Sequence, residues 1–68
     1  MALDLFPDRK PDLREMIAEL DRELKVRRTV YARWVASGQL KQQESDRRIS
    51  CMEAARDYLE KARASGAR

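Results

Sequence analysis

The sequence predicts an all-α protein: a two-helix antiparallel hairpin that dimerises into a four-helix bundle and carries an extended N-terminal arm. Three observations predict it. Two long segments carry apolar residues at alternating steps of four and three, the spacing of one helix face. Only one glycine, Gly38, stands between them. Both prolines, Pro7 and Pro11, fall in the first eleven positions, where they leave the helical segments uninterrupted.

Residues 1–11 read as the arm. Each proline biases the residue before it toward extended backbone. The first helix then opens at Asp12, which with Glu15 three positions later forms a capping-box pattern. Pro11 at the first helical position is the other reading, with acidic residues favourable in that first turn. Leu13, Ile17, Leu20, Leu24, Arg27, Tyr31 and Trp34 follow in steps of 4, 3, 4, 3, 4 and 3. This is a seam with one charged intruder, Arg27. Gly38 suits the left-handed residue that ends a helix. Helix 1 is thus expected over about 12–36, a length of ~37 Å.

Residues 37–41 form the turn, and helix 2 is expected over about 42–64. Ser45, Ile49, Met52, Arg56, Leu59 and Arg63 repeat by four and three. Cys51, Ala55, Tyr58 and Ala62 make a neighbouring stripe of mostly small residues, which lets another helix approach closely. Residues 65–68 read as a frayed tail. A short connection forces the two helices to run antiparallel. Folding about Gly38 places Tyr31 and Trp34 near Ser45 and Arg48, Leu20 near Leu59, and Arg27 near Glu53.

Helix 1 is apolar over more than one face. Val26 and Val30 flank the seam that Tyr31, Trp34 and Val35 continue. The apolar arc spans roughly half the circumference, wider than the ~100° that one neighbour covers. A second protomer is the economical second neighbour. The candidate core and dimer residues are Leu20, Leu24, Arg27, Val30, Tyr31, Trp34, Ile49, Met52 and Leu59. Arg27 in a seam needs a partner such as Glu53, or a place where protomers meet, where it fixes register. Cys51 reads as a small core residue.

A chain of 68 residues buries only ~60% of its unfolded surface and needs a staple. One cysteine and no histidine leave no intramolecular disulfide and no zinc or transition-metal site. Oligomerisation is the remaining staple. The lone cysteine fits a reducing compartment. The N-terminus lacks a signal-peptide pattern, and no apolar run reaches membrane-spanning length. The expectation is a cytoplasmic protein with no membrane association.

The same residues argue against an enzyme. There is no histidine, no glycine-rich phosphate loop and no paired carboxylate cleft. The carboxylates stand beside Arg or Lys at i±3 or i±4, as on a solvated helix face. No cofactor is expected. Charged residues make up 40% of the chain with a net charge of +3 and a pI near 9.4. That permits nucleic-acid contact without demanding it. The contacts would come from Arg22, Arg28, Arg33, Arg47 and Arg48, with aromatics interleaved in the stretch from Arg27 to Val35.

Leu3-Asp4-Leu5-Phe6 resembles the peptide by which bacterial replication and repair proteins bind the DNA polymerase sliding clamp, roughly Gln-Leu-Ser/Asp-Leu-Phe. Four positions match, and Ala2 stands where Gln is usual. The resemblance implies an extended segment whose Leu-Phe pair fills an apolar pocket. The competing reading is that Leu3, Leu5 and Phe6 fold back over an apolar end of the bundle. A second resemblance covers about 28 residues, from Arg27 to Ala54. It is to a pattern in small phage and prophage proteins, matched at Arg27, Arg28, Val30, Tyr31, Arg33, Val35, Gly38, Asp46, Arg47, Ile49, Met52 and Glu53. Lys41 replaces the usual capping Thr, and Ser45 the usual Ala. This resemblance implies a bacterial or phage source and a helical hairpin. Together the readings give a non-enzymatic phage or bacterial interaction protein that binds the host's sliding clamp and modulates or inhibits replication. The rivals are a basic nucleic-acid-binding module and a regulator that binds another host protein through the bundle surface.

Overall fold

A computed structural model describes residues 10–66 of the chain. It is an all-α hairpin of two contacting helices, α1 (Leu13–Ala36) and α2 (Gln42–Ala64). Leu3, Asp4, Leu5 and Phe6 lie outside the described residues.

Capping chemistry fixes the start of α1. Asp12 is the N-cap in extended backbone. Its carboxylate accepts from the Glu15 N–H at 2.9 Å, and the Glu15 carboxylate accepts from the Asp12 N–H at 3.0 Å. The box satisfies two backbone donors that would otherwise lack intrahelical partners. Pro11 therefore precedes the helix. Asp12→Ala is expected to cost about 1 kcal/mol, read as a lower midpoint in chemical unfolding. A neutral result would show that the first turn needs no cap.

The end of α1 is equally specific. Gly38 adopts φ +81°, a left-handed conformation that side chains resist. Its N–H donates to Val35 C=O at 3.1 Å, and the Gln39 N–H donates to Trp34 C=O at 2.8 Å. This is the Schellman arrangement, which closes off the last helical carbonyls. It also turns Leu40 back onto the helices, where it is buried. The expected turn over residues 37–41 assigns Leu40 no packing role. An apolar residue just past a glycine cap is a signal for such packing. The N-cap of α2 is Lys41, which makes no side-chain cap hydrogen bond.

The core is a single seam. Leu13, Ile17, Leu24, Tyr31 and Leu40 are its buried apolar residues, with Ser45 buried beside them. Leu20, Val30, Val35, Ile49, Met52 and Leu59 are half-buried. Three expectations are corrected. Trp34 is exposed rather than in the seam, because the four-three repeat drifts by about 20° per heptad against a straight helix. Cys51 is exposed, because its stripe lies about 120° round α2 from the seam. Arg27 is exposed too and does not meet Glu53. Its guanidinium donates to the Glu23 carboxylate at 3.2 Å and to the Tyr31 hydroxyl at 3.1 Å. Glu53 is taken by Arg28, at 2.6 Å. One position along the helix rotates a side chain by about 100°, and that step carries Arg28 toward α2.

Candidate functional site

The hairpin is one helix pair thick, so it has two broad faces, and they differ in chemistry. One face is crossed by ion pairs. Arg28 reaches Glu53, and Arg56 grips Asp21 with two hydrogen bonds of 2.5 and 3.3 Å. Arg63 pairs with Glu60 at 2.8 Å. These pairs span half-exposed side chains and contribute little stability each. Both interhelical pairs are compatible with the register that the buried seam sets. The hydrogen bond from Arg56 holds the Asp21 carboxyl below its ordinary 3.8, as Arg63 holds Glu60 below 4.5.

A carboxyl with a lowered folded pKa stabilises the fold above its ordinary pKa. That contribution is lost as pH falls through the lowered value. The thermal midpoint is therefore expected to drop on acidification below about 3.8, and to drop less in Asp21→Asn. Equal slopes in the two proteins would remove Asp21 from the acid response.

The other face has no ion pair between the helices among the described residues. It carries the exposed large apolar side chains Met16 and Trp34, 37% and 39% accessible, with Val26 and Tyr58 at its margins. Cys51 and Ala55 are exposed on the α2 side. At its open end, Pro11, Met16, Leu20 and Leu59 line an apolar groove rimmed by Glu15 and Glu19. At the turn end, the Tyr31 and Trp34 rings stand 5.8 Å apart. The Arg48 guanidinium lies 5.7 Å from the Tyr31 ring centre, a cation–π distance. The hydrogen bond from Arg27 draws the Tyr31 hydroxyl toward easier ionisation.

The candidate residues divide accordingly. Leu20 and Leu59 line the same groove from the two helices, and Arg48 meets Tyr31. The five arginines considered for nucleic acid do not converge. Arg28 is committed to Glu53, and Arg22 to Glu19 and Glu23. Arg22 and Arg33 lie on the outer edge of α1, while Arg47 lies on the outer edge of α2, by helical position. Asp21 was not singled out by sequence reasoning, and Arg56 was placed in the seam without a partner. The register rule that set Leu20 against Leu59 also sets Asp21 near Arg56, and would have found the pair.

No helix among the described residues is long and apolar enough to cross a membrane. Nor do the described residues hold a cluster of three or more His, Cys, Asp or Glu side chains fit for a metal ion. No protein family, curated protein or solved structure matches the chain.

Proposed function

We propose that the chain is a non-enzymatic interaction protein of bacterial or phage origin, working in the bacterial cytoplasm. It binds the DNA polymerase sliding clamp through Leu3, Asp4, Leu5 and Phe6, and its hairpin dimerises into a four-helix bundle. The clamp-like segment is the observation that carries this reading. Two features of the hairpin support it. The capping box starts α1 at Asp12, six positions after Phe6 in the sequence. Lys10, Pro11 and Asp12, which lead out of the helix, are exposed.

The physics of such a segment is simple. An extended peptide offers Leu5 and Phe6 to an apolar pocket and its backbone to hydrogen bonding. A dimer presents two such segments, and the second gains by effective concentration where the geometry allows. The bundle would then block, recruit or orient other proteins at the clamp. Bringing a clamp-bound bundle to a replication site modulates replication without any chemistry of its own.

Titrating the full-length protein against purified bacterial sliding clamp tests the reading. Micromolar binding is expected, and Leu5→Ala/Phe6→Ala should abolish it. Binding that persists in the double variant would move the site to the hairpin.

A further inference from the structure

The apolar face has a pattern that names its own partner. We propose that two copies of this chain pack through this face with their turns at opposite ends. Trp34 of each copy then fills the Met16–Leu20–Leu59 groove of the other. The proposal rests on the dimer put forward above and specifies which surface makes it and how.

Three observations lead there. The first is spacing. α1 spans Leu13–Ala36, so Trp34 lies about 14 Å to one side of its midpoint and Met16 about 13 Å to the other. A two-fold axis through the middle of the face, perpendicular to the helices, exchanges these positions. It lays the protruding ring of one copy over the groove of the other. An isologous interface requires this kind of self-complementarity.

The second observation is charge. Glu23 and Arg27 are the charged α1 residues nearest the centre of this face, about 2 and 4 Å on either side of the midpoint. They already pair within the helix at 3.2 Å. The same axis sets each Glu23 against the second copy's Arg27, so like charges are kept apart and four charges alternate. The third is size. Ala55 lies about 3 Å from the middle of α2, with Cys51 one turn away. On the axis, α2 meets its own copy through small residues, which permit a close approach.

The opposite arrangement, with both turns at one end, fits less well. It stacks α1 on the second copy's α2. Trp34 would then face the level of Glu44 and Arg48, and the groove would face the second copy's α2 near Leu59, with only Tyr58 at the margin of the face rather than Trp34. The ion-paired face is a poorer interface as well, since Arg28–Glu53 and Asp21–Arg56 would have to lose water there.

Distance between turns decides the matter. Gln39 is exposed at the turn. In the full-length protein, Gln39→Cys with Cys51→Ala gives a single spin-label site per chain. Sedimentation equilibrium of the unlabelled and labelled proteins reports stoichiometry, and pulsed dipolar spectroscopy reports the label separation. A dimer with labels about 40 Å apart is expected. The single tryptophan's emission should also shift to the red on dilution to monomer.

A dimer with labels under about 20 Å apart would overturn the arrangement and leave the dimer itself standing. A helical monomer at every concentration would overturn both. A monomer in which Phe6 shows nuclear Overhauser contacts to Leu59 would place the chain's own leading segment in the groove instead.

Discussion

Leu24→Ala is expected to abolish cooperative folding or to lower stability by about 2–5 kcal/mol. Leu24 is 3% exposed, the most buried of the five buried apolar side chains among the described residues, and it lies at the middle of the seam. No side chain in the described hairpin is fully enclosed, so little stability is held in reserve. Small domains rarely have more than about 5 kcal/mol to lose. Removing three carbons where both helices meet leaves a cavity that a two-helix pair closes only by parting. Far-UV circular dichroism during urea unfolding measures the effect. Val26→Ala, in the same helix but 47% exposed, is the control and should cost under about 0.5 kcal/mol. Equal losses in both variants would show that helix propensity, not the seam, holds the fold.

Leu5→Ala/Phe6→Ala is expected to lower clamp affinity by about 100-fold. Burying a leucine or phenylalanine side chain contributes about 1.5–3 kcal/mol. A factor of ten in affinity is 1.4 kcal/mol. Ordering costs of about 0.5–1.5 kcal/mol per side chain offset part of this gain, and a net loss of about 2.8 kcal/mol, two factors of ten, lies within what remains. The double variant should unfold at the same urea concentration as the parent protein. A clear fall in its unfolding midpoint would mean that Leu5 and Phe6 pack on the hairpin, the reading that competes with clamp binding.

The hairpin was legible in the sequence because two kinds of signal agreed. Apolar steps of four and three gave the seam. A capping box at Asp12 and Glu15 and a glycine at 38 gave its limits, and the structure places caps at both. Side-chain roles on the flanks were less legible. Arg27 sits on the four-three repeat, yet the repeat drifts by about 20° per heptad against a straight helix. By the third heptad position that drift turns Arg27 away from α2 and brings Arg28, still exposed, round to the side where it reaches Glu53. Cys51 and Ala55 resembled core by residue type, but type does not say which neighbour they await. Tyr31 and Trp34 were both read as seam residues. Only Tyr31 is buried, while Trp34 is exposed on one face. The interhelical pairs needed a register, which the sequence supplied only through the position of Gly38.

The segment that carries the functional proposal differs in kind. Its signal is a short motif, with no periodicity and no cap of its own. Its meaning depends on a partner surface rather than on this chain's fold. That surface is directly accessible to experiment. A fluorescent peptide of residues 1–12 titrated with purified bacterial sliding clamp, beside the Leu5→Ala/Phe6→Ala peptide, tests the central claim most directly. Saturable micromolar binding by the native peptide, lost in the variant, is the predicted result. No binding by the native peptide, and none by the full-length protein in the same titration, would contradict the account.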